Sequence, residues 1–154
     1  MNYADIKPND ICNGEGLVVS LWVSGCPIKC EGCHNEAIWD YTSGEEFTEE
    51  TLNYLVDLLS DPRVDKGLSI LGGEPLAPEN YSEVLNVVKH IREKFPTKSI
   101  WLWTGYEYSR VEPLEILNYL DVIITGRYIE SLKDTETWWR GSLNQKKIHL
   151  TKSK

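Results

Sequence analysis

Short apolar runs alternate along this chain with stretches of helical period. Residues 17–24, Leu-Val-Val-Ser-Leu-Trp-Val-Ser, read as a buried strand, and 68–71, 99–103 and 122–125 repeat the pattern. Between the first two runs, Leu52, Leu55, Val56 and Leu59 recur at helix spacing behind Thr48. Thr48 is a suitable N-cap, and Glu49 and Glu50 sit where the helix dipole favours negative charge. After Pro75 and Pro78, the positions Val84, Leu85, Val88 and Ile91 predict a second helix over 80–94, and 113–120 predict a third. Residues 130–139 are polar and without period, and 146–150 form a candidate last strand. Strands separated by helices imply right-handed crossovers and a mostly parallel α/β sheet.

Glycines mark the ends of these strands. Gly25 follows the first, Gly72 and Gly73 the second, Gly105 the third and Gly126 the fourth. Any one of them is explained by a turn that needs positive φ. Together they fall on one edge of the sheet, the edge where loops converge on active sites in parallel α/β folds.

Chemistry enters on that edge. Cys26, Cys30 and Cys33 lie within eight residues on a loop that Gly25 and Gly32 loosen. Three soft thiolates on such a loop form a metal or cluster site. Structural zinc and electron-transfer clusters ordinarily close with four ligands, so three ligands point to an iron with an open position. The remaining cysteine, Cys12, precedes a strand whose ends lie about 25 Å apart at ~3.3 Å per residue, which starts it at the wrong end. A four-cysteine zinc site that recruits Cys12 and three buried apolar cysteines are the competing readings. Lys29 and Glu31 between the cysteines argue against the second.

Composition narrows the partners. A chain of 154 residues supports one domain and is too short for a complete eight-stranded barrel. The net charge of -8 argues against a general nucleic-acid binder, which needs a basic face. No apolar run reaches the length of a membrane span. Asp5, Lys7, Pro8 and Asp10 occupy the region where an apolar leader would stand, so a cytoplasmic chain with reduced thiols is expected. Six tryptophans and eight tyrosines exceed what one small core usually takes, and suggest a protein interface.

Cys26, Cys30 and Cys33 spell CxxxCxxC, and Gly72-Gly73-Glu74-Pro75 follows the second strand. In this order and spacing the motifs resemble those of the radical S-adenosylmethionine (radical SAM) enzymes. Within that superfamily the chain is similar to the activases of anaerobic ribonucleoside-triphosphate reductase. The likeness runs through Asn13-Gly14-Glu15-Gly16, Gly32-Cys33-His34-Asn35, Trp103-Thr104-Gly105-Tyr106, Thr125-Gly126-Arg127-Tyr128 and Trp139-Arg140-Gly141-Ser142-Leu143-Asn144-Gln145, nearly the whole chain. Two positions depart from the wider pattern. Gly32 stands where many radical SAM enzymes carry an aromatic residue, and Thr125 where the family often has an aspartate.

The resemblance implies an incomplete (partial) β/α barrel of radical SAM type, with a mostly parallel sheet, as a single domain over 1–154. It implies a 4Fe-4S cluster held by Cys26, Cys30 and Cys33, with the fourth iron left to the amino and carboxylate groups of S-adenosyl-L-methionine. One electron passed to the sulfonium then gives methionine and a 5'-deoxyadenosyl radical, which takes a hydrogen atom from a glycine Cα of the reductase. Gly32, Cys33, His34, Gly72, Gly73, Glu74 and Thr104 are the implied cofactor-binding residues. His34 would serve the adenine site through its backbone, Gly72 and Gly73 would let backbone approach the methionine moiety, and Glu74 would accept a hydrogen bond or order its loop. No residue is implied to be catalytic beyond the cluster and cofactor, and His34, His90 and His149 receive no general-base role. The loop 13–16 would lie near the substrate glycine, or be a plain turn.

The implied partners are the large subunit of the anaerobic reductase and a low-potential electron donor such as a flavodoxin, with neither nucleic acid nor membrane. Two other classes stay open. One is a non-catalytic iron-sulfur or zinc-binding module; the other is a different short radical SAM enzyme, such as a 7-carboxy-7-deazaguanine synthase. The Gly-Gly-Glu-Pro loop argues against a mere electron carrier, and the segment from Trp139 to Gln145 favours the activase.

Overall fold

A computed structural model of the protein describes residues 1–33 and 36–150. Seven strands, β1 (Asn2–Asp10), β2 (Val18–Val23), β3 (Glu45–Glu46), β4 (Gly67–Gly72), β5 (Ile100–Trp103), β6 (Val122–Thr125) and β7 (Lys146–His149), form one sheet in the order β3-β1-β2-β4-β5-β6-β7. Three helices accompany them, α1 (Glu49–Leu59), α2 (Pro78–Lys94) and the single turn α3 (Tyr108–Val111).

The sheet is not the mostly parallel one expected of a partial β/α barrel. β2, β4, β5 and β6 run parallel, but β1 pairs antiparallel with both β2 and β3, and β7 pairs antiparallel with β6. The result is an open, mixed sheet. Parallel neighbours need a crossover, usually a helix, and the outer connections have none. Residues 11–17 return directly from β1 to β2, and 126–145 return from β6 to β7 with a 3₁₀ turn at Glu130–Leu132 as their only helical element.

Local signals explain the helices. Thr48 caps α1 through a reciprocal pair in which its side chain accepts from the Thr51 N–H and the Thr51 hydroxyl accepts from the Thr48 N–H. Pro78 begins α2, where its missing N–H is not needed. The third helix expected over 113–120 is instead a 3₁₀ turn at Glu115–Tyr119, entered from an extended Leu114 just after Pro113.

Alternation along the strands divides the sheet into two faces. Val19, Leu21, Val23, Leu68, Ile70, Ile100, Leu102 and Ile123 meet Leu55 and Leu59 of α1 and Val84, Val88 and Ile91 of α2 in the main core. The opposite face carries Trp101, Val122 and Ile124, joined by Trp103 and Trp139. Loops, not helices, cover that side, and Gly14 packs there over Val18 and Ser69.

Arg92 fastens α2 to the starts of two central strands. Its guanidinium donates to the carbonyls of Tyr119 (2.9 Å) and Lys98 (2.7 Å) and to Asp121 Oδ2 (2.7 Å), which also accepts the Ile100 N–H. Arg92→Ala removes these charge-assisted donors and is expected to lower unfolding free energy by about 2–4 kcal/mol in denaturant titrations. Arg92→Lys should recover less than half, because an ammonium cannot reproduce the fork. Full recovery by Lys would show that only the charge matters.

Candidate functional site

The site is built where four parallel strands end. The cysteine loop follows β2, the loop of Gly73 and Glu74 follows β4, Thr104 and Gly105 follow β5, and Gly126 follows β6. Backbone bonds lace these loops sideways: Gly73 N–H to Val23 O (2.7 Å), Glu74 N–H to Gly25 O (2.7 Å), Thr104 N–H to Ile124 O (2.8 Å) and Gly126 N–H to Tyr106 O (3.0 Å). Gly72 adopts φ +108°, and a Cβ at Gly73 would fall on the carbonyl oxygen of Gly25. Only glycine allows the two loops to approach this closely.

Cys26, Cys30 and Cys33 line one cavity of about 150 Å³ together with Gly72, Gly73, Glu74 and Thr104. Cys26 and Cys30 are buried, Cys33 is half-buried, and none of the three is in a disulfide. Cys26 is anchored from the other side of the loop, its N–H donating to Trp39 O (2.9 Å) while Gly25 N–H donates to Ile38 O (2.8 Å). Burial pushes the Cys26 thiol above its usual pKa, and N–H donors of Lys29 and Ile28 pull against it. Cys12 is exposed and hydrogen-bonds through its N–H to Asp10 at the far end of β2, away from the cavity.

Glu74 is 1% exposed and faces inward. Its Oε1 accepts the Gly105 N–H (2.6 Å), and its Oε2 accepts the Leu76 N–H (2.9 Å) and the Thr104 hydroxyl (2.8 Å). Burial still prevails over these donors and raises its pKa to about 7. Three donors of the chain itself thus meet this carboxylate and tie the loop after β4 to the loop after β5. Thr104 is likewise engaged within the chain, its hydroxyl also accepting the Tyr106 N–H at 3.2 Å.

Not every expected residue joins this cavity. Gly32 is exposed beside Tyr128 and the Glu130 carboxylate. The Tyr128 hydroxyl donates to Glu130 at 2.6 Å, a bond that pushes the phenol up to about 12. His34 lies outside the described residues. His90, on α2, and His149, on β7, do not line the cavity. Within the loop 13–16, Gly14 packs toward Val18 and Ser69 of β2 and β4, and Glu15 stands near Lys147 (3.6 Å).

Eight further residues complete the lining: Ile28, Trp39, Leu71, Trp103, Gly105, Gly126, Tyr128 and Gln145. Trp103, Gly126, Tyr128 and Gln145 stand in the segments that carry the family likeness, so a signal for them existed; Trp39 had none. Gln145 shows what its segment does. It accepts the N–H of Gly141 (2.7 Å) and donates to Gly126 O (2.9 Å), while Asn144 donates to Arg127 O (2.8 Å). The segment thereby ties the loop after β6 to the wall of the cavity.

Three cysteines meeting glycine-rich strand ends define a single-cluster iron-sulfur domain, and the chain matches the 4Fe-4S single cluster domain family over residues 12–148. It is 46% identical over 146 residues to the anaerobic ribonucleoside-triphosphate reductase-activating protein of Enterobacteria phage T4, covering 95% of this chain and 92% of the relative. The protein of the same name from Escherichia coli K12 is 39% identical over 153 residues, covering 97% and 99%, and that from Vibrio cholerae is 40% identical over 148 residues, covering 94% and 96%. The chain belongs to the family of anaerobic ribonucleoside-triphosphate reductase-activating proteins. No helix among the described residues is long and apolar enough to cross a membrane.

Proposed function

We propose that this protein is a radical SAM activase that generates a glycyl radical on anaerobic ribonucleoside-triphosphate reductase. The observation that carries the reading is the meeting of the cysteine trio with the Gly72-Gly73-Glu74 loop in one cavity. The residues fit the group. Cys26, Cys30 and Cys33 supply three thiolates around one space, and no fourth cysteine among the described residues lines it.

In this reading Cys26, Cys30 and Cys33 would hold a 4Fe-4S cluster, and S-adenosylmethionine would bind beside it. When bound, the two supply one-electron reductive chemistry that ends with an unpaired electron on a glycine of the reductase. The chain's own work is positioning. Gly72 and Gly73 present backbone without side chains, Glu74 holds the loops after β4 and β5 at fixed separation, and Thr104 relays that hold to Tyr106. Gly32, Cys33 and His34 remain the proposed contacts on the cysteine loop. A single domain over 1–154 serves this task in the cytoplasm, with the large reductase subunit as substrate and a low-potential donor such as a flavodoxin as electron source.

The test is a reconstitution. After anaerobic loading with iron and sulfide, the protein, S-adenosylmethionine, a reductant and the reductase should give 5'-deoxyadenosine and a glycyl radical signal on the reductase by electron paramagnetic resonance. Cofactor cleavage with consumption of a small molecule and no radical on the reductase would reject the activase reading.

A further inference from the structure

Among the described residues, five buried side-chain polar atoms have no hydrogen-bond partner, and only one of them, the indole nitrogen of Trp39, belongs to a residue that lines the cysteine cavity. Buried indole N–H groups ordinarily find an acceptor, since burying the donor alone costs about 1–3 kcal/mol. Trp103, the other tryptophan of the cavity, follows the rule: its N–H donates to the Trp139 carbonyl at 2.7 Å. Trp39 is also tied to the site through its backbone, because its carbonyl receives the Cys26 N–H at 2.9 Å. The unpartnered donor therefore sits on a residue fastened to the first cysteine of the trio.

We propose that the Trp39 indole N–H is a hydrogen-bond donor to a sulfur of the cluster held by Cys26, Cys30 and Cys33, and so helps set its reduction potential. The inference rests on the cluster reading above. Its chemistry is that of a donor facing an anion. Thiolate and sulfide sulfurs carry more negative charge in the reduced cluster than in the oxidised one, so a donor stabilises the reduced form more and raises the potential. Trp39 would be a positioning and tuning residue, making no bond to iron.

Two measurements decide it. In protein labelled with ¹⁵N at the tryptophan indole positions, loaded with iron and sulfide and reduced, pulsed electron paramagnetic resonance should show coupling of one indole nitrogen to the cluster. The same coupling should be absent from Trp39→Phe. A redox titration of Trp39→Phe should give a midpoint more negative than wild type by up to about tenfold in the reduction equilibrium, ~59 mV for one electron, at unchanged iron content. Iron content comparable to wild type, with no indole coupling in wild type and no shift in the variant, would overturn the inference and leave the cluster reading standing. Failure of the wild type to retain iron would overturn both. If Trp39→Phe does not fold, the coupling in labelled wild type, which needs no variant, decides the matter.

Discussion

Cys26→Ser, Cys30→Ser and Cys33→Ser should each lose the cluster after anaerobic reconstitution, with bound iron and cofactor cleavage falling more than about 100-fold, while Cys12→Ala should keep both near wild type. Changes to groups that only support a metal's ligands already cost 10–100-fold in affinity or activity, so loss of a ligand sets the larger expectation. The contrast with Cys12 is geometric. Three thiols surround one cavity at the C-terminal ends of the parallel strands, and the fourth is exposed beyond the start of β2. Iron determination and visible absorbance after identical loading measure the effect. An iron-depleted Cys12 variant would mean that the ligand set is wrong, and full iron in any of the three Ser variants would mean the same.

The second large effect concerns Glu74 and pH. Its folded-state pKa is raised from 4.5 to about 7, with burial as the largest cause. The folded protein therefore holds a proton that the unfolded chain has released, and stability from this group is complete below about pH 4.5 and declines as pH rises through 7. The decline for the iron-free protein should be on the order of 3 kcal/mol across that window. Glu74→Gln should flatten it. The substitution also turns an amide NH₂ toward N–H donors at Gly105 or Leu76, and should lower stability at pH 5 by about 1–3 kcal/mol. Denaturant unfolding of both proteins between pH 5 and 8 supplies the comparison, and parallel pH profiles would remove Glu74 as the titrating group.

What could be read from residue order was whatever depends on neighbours in the chain. Thr48 announced α1, Pro78 announced α2, and three sulfurs within eight residues announced a cluster because ligand spacing is a local property. Strand β1 was not legible: Pro8 and alternating half-exposed polar residues disguise it, and it becomes a strand only by pairing with β2 and β3. Strand direction was misread at both ends because alternation with helices implies crossovers, and neither outer connection contains an α-helix. Glu74 illustrates the limit within the site. Its motif marks a loop, but its decisive partners, Thr104 and Gly105, stand 30 and 31 residues further on. Trp39 carried no motif at all, and its significance arises from one unpaired nitrogen that only the folded chain reveals.

The two outermost strands also carry charge that weighs against sheet extension between copies. β3 consists of Glu45 and Glu46, both exposed, and β7 opens with Lys146 and Lys147. Unpaired strand edges are templates for adding further strands, and short or charged edges discourage it. Here β3 is acidic and Lys146 makes the start of β7 basic, while Lys147 is already engaged by Glu15 (3.6 Å) and the Trp139 ring. A pair of molecules approaching through the same edge faces like charge against like charge, which opposes a symmetric, self-limiting dimer built by sheet extension. Contact of an acidic edge with a basic one is the attractive arrangement, but it leaves a free edge at each end and does not close. Colloidal behaviour should therefore track ionic strength, since both the repulsion and the attraction fade once charges are separated by more than the ~8 Å Debye length of physiological salt.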